Sequence, residues 1–252
     1  MTVSRVALDA GEARLPDGRP LTREELDYIV DAPRSCFEVR ADGPHKIQIY
    51  SEEDERLYSL MPTEGAPTLL VSGISMHRIK GVDPHGDAVA KVRAVAPVAG
   101  LVLDTSTGLG YTAIEAARTA RHVTTMEVNP TCLAIARLNP WSRALFESEN
   151  ITQVVGDATE EIERCADRQF QRIIHDPPSL SMAGEMYSTE FYRQLCRVLQ
   201  SKGRLFHYIG DIDAAAGRNS SIARGAMRRL QEAGFKRVVR NERAFGLVAY
   251  KD

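Results

Sequence analysis

Four short segments carry residue types, at telling spacings, that suit a ligand built on a nucleoside. The first is Asp104-Thr-Ser-Thr-Gly108-Leu-Gly110-Tyr-Thr. Glycines there let a ligand approach the backbone, and a helix starting at that point offers free N–H groups. The second is Glu127, 23 residues after Asp104, an acid placed to accept hydrogen bonds from ribose hydroxyls. The third is Gly156-Asp157-Ala158, whose carboxylate can take a hydrogen from an adenine amino group. The fourth is His175-Asp176-Pro177-Pro178, an acid on a loop stiffened by two prolines. Taken singly, each is an ordinary surface turn. Their weight comes from register, because each is expected directly after a strand.

The elements that must hold them alternate from about residue 96 onward. Leu101-Val102-Leu103 leads into the glycine turn and a helix over 111–120. Strands are expected at 122–126, 151–155, 170–175 and 204–208, and helices at 130–138, 159–166, 188–199 and 220–233. Such alternation predicts a doubly wound, mostly parallel sheet with helices on both faces. Two closing strands, 235–240 and 243–250, are joined only by a short link at Asn241-Glu242. They form a hairpin, so one of them runs antiparallel. In sheets of this kind ligands sit beyond the carboxyl ends of the strands, which is where the four segments fall. The NAD-binding spacing G-x-G-x-x-G is absent, which disfavours a dehydrogenase.

Residues 1–95 have another texture. Turn signals at 16–18, 31–33, 41–44 and 62–67 separate short alternating runs such as Phe37-Glu38-Val39, the pattern of half-buried strands. Thr22 and Glu25, ahead of Leu26, Ile29 and Val30, form a capping box for one short helix. The expectation is a small β-rich module over 1–95 beside a main domain over 96–252.

The chain has 252 residues, with 32 Lys+Arg against 34 Asp+Glu, 43% hydrophobic and 26% charged residues. This is the ordinary globular range, and no apolar stretch reaches the roughly 20 residues that span a bilayer. Cys36, Cys132, Cys165 and Cys196 make no CxxC pair, so neither a disulfide framework nor a metal site is indicated. A soluble, cytoplasmic protein is expected. The near-neutral total hides a basic end: residues 217–252 hold nine basic and three acidic side chains. That segment is a candidate RNA contact, with solvation of a helix face as the simpler reading. The N-terminal strands offer an edge through which a homo-oligomer could form.

The set of strand-end motifs resembles the class I S-adenosylmethionine-dependent methyltransferases over residues 96–252. The resemblance implies a Rossmann-like seven-stranded sheet of order 3-2-1-4-5-7-6 and S-adenosyl-L-methionine as cofactor. It implies a cofactor site of Asp104, Ser106, Gly108, Gly110, Glu127 and Asp157, with Ser106 standing where the family's first motif glycine would be. Asp176-Pro177-Pro178 is similar to the Asn/Asp-Pro-Pro-aromatic motif of enzymes that methylate amino groups. Ser179 replaces the aromatic residue, as in a variant seen in some ribosomal RNA methyltransferases. Asp176 is accordingly expected on the acceptor side as the catalytic group, with His175 beside it. Pro177, Pro178, Tyr187, Tyr111, His77 and Tyr208 are expected to line the acceptor pocket, with Met76 and Arg78. His207 also ends a strand near the site.

A second resemblance competes. Residues 180–203 are similar to the helix after strand four in spermidine and spermine synthases, which share the sheet and carry a small N-terminal β module. They use decarboxylated S-adenosylmethionine and place two aspartates near a proline to hold an amine, where this chain offers Asp176 alone. A third resemblance is to a group of predicted methyltransferases best known from archaea, through Ser75-Met76-His77-Arg78, residues 104–111, Asn139-Pro140-Trp141-Ser142 and residues 206–211. It supplies no substrate. A non-catalytic scaffold would have shed the strand-end acids, and Glu127 and Asp157 are both present.

Overall fold

The N-terminal region consists of three small antiparallel sheets around one short helix. Leu8–Asp9 (β1), Glu12–Arg14 (β2) and Pro20–Thr22 (β3) pair in sequence and lead into Arg23–Val30 (α1). The expected capping box closes α1: Thr22 Oγ1 accepts from the Glu25 amide, and the Glu25 carboxylate accepts from the Thr22 amide, satisfying two otherwise orphaned donors. Phe37–Arg40 (β4) and Gly43–Lys46 (β5) form a hairpin. Gln48–Ser51 (β6), Arg56–Met61 (β7), Thr68–Val71 (β8) and Ile74–Ser75 (β9) form a four-stranded meander. These coordinates are a computed structural model and describe residues 6, 8–9, 11–210 and 218–252. Asp211 of the 206–211 segment lies outside the described residues.

A helix then appears where only β structure was expected. Pro84–Ala94 (α2) starts at Asp83, whose side chain accepts from the amides of His85 and Gly86. Pro84 sits in the first turn, where a missing N–H costs nothing. The helix packs against the main domain, not against the small sheets alone.

The main domain follows as Leu101–Asp104 (β10), Tyr111–Ala117 (α3), His122–Glu127 (β11), Pro130–Arg137 (α4), Arg143–Glu147 (α5), Ile151–Val155 (β12), Ala158–Glu161 (α6), Phe170–His175 (β13), Thr189–Val198 (α7), Leu199–Tyr208 (β14), Arg218–Glu232 (α8), Arg237–Asn241 (β15) and Gly246–Tyr250 (β16). The sheet order is β12-β11-β10-β13-β14-β16-β15, the expected 3-2-1-4-5-7-6. The first five strands are parallel, while β16 pairs antiparallel with both neighbours. Several expected bounds shift: the closing strands begin later, so that their link is 242–245 and not Asn241-Glu242, and α3 ends at Ala117 and not at 120. The helix predicted over 159–166 is one α turn and a 3-10 segment, Ile162–Arg164, and β14 begins five residues before 204.

The central strands are buried on both sides, so successive residues serve opposite cores. Val102, Ile174, Phe206 and Val248 pack with Leu69, Val92, Ala113 and Ile135 on one face. Leu103, Ile173, Leu205 and Leu247 pack with Tyr192, Leu195, Ala226 and Leu230 on the other. Each such side chain contributes about 1.5–3 kcal/mol on burial. The first core takes Ile47, Tyr58, Leu60, Leu69 and Val71 from the N-terminal strands. The small module is thereby fused to the face that carries α2, α3 and α4.

Candidate active site

The turn after β10 is tied to the strands on either side. The Thr105 amide donates to Ile174 O and the Thr107 amide to Met126 O. Gly108 has φ +53 with open space where a Cβ would stand, and its N–H donates to Glu127 Oε2 at 2.8 Å. The second Glu127 oxygen accepts from the Asn129 amide at 3.1 Å. Burial pushes the Glu127 carboxyl up, and these two N–H groups pull it back in part. At the end of β12, Asp157 Oδ1 accepts from the Thr159 amide and hydroxyl at 2.8 and 2.7 Å. Ser106, Gly108, Glu127 and Asp157 all border one cavity of about 740 Å³.

Two residues expected in direct contact with a cofactor stand behind this wall. Asp104 is fully buried and does not border the cavity. Its Oδ2 accepts from Thr112 Oγ1 at 2.8 Å, and burial pushes its carboxyl up to about 7. Gly110 caps α3 at φ +79, and a Cβ there would come within 2.7 Å of Leu145. Its role is close packing. Both residues set the path of the turn from beneath.

The side expected to face an acceptor contains an arrangement that the sequence does not reveal. Lys91, on α2, is 3% exposed. Its Nζ lies 2.6 Å from Asp176 Oδ2 and 2.8 Å from Asp87 Oδ2. Arg78 Nε sits 3.1 Å from Asp87 Oδ1, giving four charges of alternating sign. The two cations rest on rings as well: Lys91 Nζ is 4.2 Å from the centre of Tyr208, and the Arg78 guanidinium is 4.1 Å from that of Phe245. Burial alone would lower Lys91, but Asp176 and Asp87 outweigh it and hold the ammonium charged. Burial raises the Asp176 carboxyl, with Lys91 opposing.

Among the other expected residues, His77, Tyr111, Asp176, Pro177 and Pro178 border the cavity. Tyr111 is anchored from behind, its hydroxyl donating to Pro67 O and accepting from Asn139 Nδ2, both at 2.8 Å. His77 Nδ1 lies 3.0 Å from Thr68 Oγ1, and burial followed by Lys91 lowers this imidazole to about 3.

His175 departs from expectation. Its Nδ1 is 2.7 Å from Thr105 Oγ1, its Nε2 is 3.0 Å from Met186 O, and it does not border the cavity. Fully buried, it is lowered to about 3, so it acts as a brace between the turn after β10 and the loop after β13. Tyr187 is likewise a brace, its hydroxyl donating to Pro178 O at 2.9 Å. Tyr208 supports Lys91 without reaching the cavity wall. His207 pairs with Tyr192 through Nε2 at 2.7 Å and stacks on His175 at 4.3 Å. The basic C-terminal segment is partly engaged internally: Arg229 donates to Tyr187 O, and Lys251 Nζ donates to Cys196 O and Leu199 O.

Asp54 and Arg56, at the β6–β7 turn, also border the cavity, together with Tyr58 on β7. No sequence signal marks them, because a turn acid in a β-rich module reads as solvated.

Comparison with known proteins gives a consistent set. Residues 76–211 match the methyltransferase small domain family. The uncharacterized protein MJ1233 of Methanocaldococcus jannaschii is 47% identical over 195 residues, spanning 77% of this chain and 67% of that one. A spermidine synthase solved with the transition state analogue AdoDATO superposes with a TM-score of 0.66 at 17% identity, covering 86% of this chain and 80% of that one. The spermidine synthase of Thermotoga maritima gives 0.62 at 16%, covering 85% and 77%. MNMC2 of Aquifex aeolicus gives 0.56 at 18%, covering 76% and 70%. At these identities the solved structures share the fold.

Proposed function

The chain belongs to the methyltransferase small domain family, and from that premise we propose that it methylates a nitrogen nucleophile presented to Asp176, with S-adenosylmethionine as donor. The observation that carries this reading is the convergence of Glu127, Asp157 and Asp176, from three different strand ends, on one cavity. When bound, S-adenosylmethionine supplies an electrophilic methyl on a sulfonium centre.

The lining residues fit that group. Glu127 keeps lone pairs for ribose hydroxyls after accepting two backbone N–H groups, and Asp157, engaged among the described residues through Oδ1 alone, would keep Oδ2 for an adenine amino group. Ser106 borders the cavity, and its buried hydroxyl has no hydrogen-bond partner among the described residues, a cost of about 1–3 kcal/mol that a ligand atom would recover. A methyl on sulfur needs little activation, so the protein's task is to hold donor and acceptor in line and to take up a proton. Lys91 fixes Asp176 through Oδ2, which leaves Oδ1 for the acceptor N–H. The raised carboxyl is a better base than an exposed one.

Lys91 also bears on aminopropyl transfer. An enzyme acting on a polyamine needs uncompensated carboxylates to hold ammonium groups. Here Asp87 and Asp176 are already balanced by Lys91 and Arg78, so the carboxylate at the proposed transfer point is not free to hold one, and an amine would be left to acids elsewhere on the border. The cavity border carries Glu53, Asp54, Asp157 and Glu185 besides, so a phosphate entering it would be repelled. An RNA acceptor would have to be held outside, by the basic segment 217–252.

The test is calorimetric titration with S-adenosylmethionine and with its decarboxylated form. Tighter binding of the first, lost roughly ten- to hundredfold in Glu127→Ala, supports methyl transfer. Tighter binding of the second overturns it in favour of aminopropyl transfer. A labelled-methyl screen of amines, proteins and RNAs then identifies the acceptor.

A further inference from the structure

We infer that Asp54, from the β6–β7 turn, is an additional ligand for the ribose diol, so that the N-terminal module completes the cofactor site. This rests on the donor assignment above and deepens it. Asp54 Oδ2 is fully used: it accepts from Tyr58 Oη at 2.6 Å and from Asn129 Nδ2 at 3.1 Å. Oδ1 is buried, yet among the described residues no donor meets it in hydrogen-bonding geometry. The Ser51 hydroxyl is near enough to favour the charged form but does not bond that oxygen. A buried carboxylate oxygen left without a donor is costly, and Asp54 borders the cavity. The missing donor therefore has a place from which to come.

Asn129 shows which donor. Its backbone N–H binds Glu127 Oε1 while its side chain binds Asp54 Oδ2 and Tyr58 Oη. Its Oδ1 caps α4 by accepting from the Thr131 amide. Asn129 thus holds two carboxylates, each with spare acceptor capacity and each belonging to a residue that borders the cavity. Two adjacent acceptors of this kind match a vicinal diol. Glu127 ends β11 and Asp54 is tied to that end through Asn129, one strand from β10 and on the opposite side from β13, which Asp176 follows. The matched family segment begins at residue 76, so this contact comes from outside it.

The test measures affinity for S-adenosylhomocysteine and for its 2′-deoxy and 3′-deoxy analogues, in the full chain and in Asp54→Ala and Asp54→Asn. The expected result is a roughly ten- to hundredfold loss in Asp54→Ala for the ribose ligand. One deoxy analogue should show almost no further loss, because its missing hydroxyl is the partner. Asp54→Asn keeps an oxygen for Tyr58 and should lose less. Hydrogen exchange of 48–61 should slow on ligand addition in the parent chain and not in Asp54→Ala. Binding within twofold of the parent, or an equal loss for all three ligands, overturns the inference while the donor assignment stands. If the parent chain binds none of them and Glu127→Ala changes nothing, both fall together.

Discussion

At the scale of single residues, the Lys91 ammonium is held between two carboxylates, 2.6 Å from Asp176 Oδ2 and 2.8 Å from Asp87 Oδ2. Glu127, Asp157 and Asp176 could be picked out in the sequence because each follows an apolar run at a fixed place in an alternating pattern. Lys91 could not, since the carboxylate it holds is 85 residues away and its own helix reads locally as a turn. His175 misled for a related reason: adjacency to Asp176 in sequence puts it on the opposite side of the strand, where both ring nitrogens find structural partners. The Lys91 arrangement has a measurable consequence. Lys91→Met would leave Asp87 and Asp176 facing each other without their shared cation. The loss should be about 3 kcal/mol, the lower end for a broken buried pair, because the Asp176 side chain keeps 20% exposure. Asp176→Asn should cost less, as Lys91 then still balances Asp87. Urea denaturation of the two variants checks the order, and equal midpoints would show that the pair is not coupled.

At the scale of elements, the alternation of strands and helices and the closing hairpin were readable, because two-sided burial writes continuous apolar runs and the hairpin link is too short to cross over, whereas the strand order came only with the family resemblance. Helix α2 was hidden by Asp83-Pro84-His85-Gly86, which looks like a turn. The signal that would have found it is the cap at Asp83 with Pro84 just inside, followed by Ala88, Val92 and Val95, all buried, at spacings of four and three. The two turn glycines are also alike in sequence and different in structure. Gly108 faces open space, whereas Gly110 is pressed against Leu145. Gly110→Ala combines a clash at 2.7 Å with a left-handed backbone, and should cost about 2–4 kcal/mol. Gly108→Ala carries only the backbone strain, about 1 kcal/mol, and instead should weaken binding of the donor. Thermal melts with calorimetry separate the two, and a reversed ranking would mean that the turn is not held as described.

At the scale of the whole molecule, the two cores and the buried ionisable groups make stability depend on pH in a definite direction. His77 and His175 are each lowered to about 3, while an unfolded imidazole titrates near 6.5. Between those values the unfolded chain binds more protons, so stability falls as pH drops below about 6.5. Asp104 acts oppositely. Its carboxyl stays protonated up to about 7 in the fold and ionises near 3.9 when unfolded. Its contribution is therefore full below about pH 4 and is lost as pH rises toward 7. His207 is lowered as well, while Glu127 and Asp176 are raised against the pull of their own donors and act with Asp104. The expected net slope across pH 4–6.5 follows the three imidazoles, a loss of stability on acidification. His77 anchors to Thr68 in the meander, and His175 to Thr105 under the glycine turn, so the effect spans both parts of the chain. Because the first core joins Tyr58, Leu60 and Leu69 to Val102 and Ile174, the transition should be single, with circular dichroism and the fluorescence of Trp141 coinciding. The urea midpoint should be lower at pH 5 than at pH 7, and His175→Gln should flatten that difference. A midpoint that rises toward pH 5 would mean that Asp104, not the imidazoles, governs the balance. Two separated transitions would mean that the meander folds apart from the sheet, and Asp54 would then be set beside Glu127 by docking and not by a shared core.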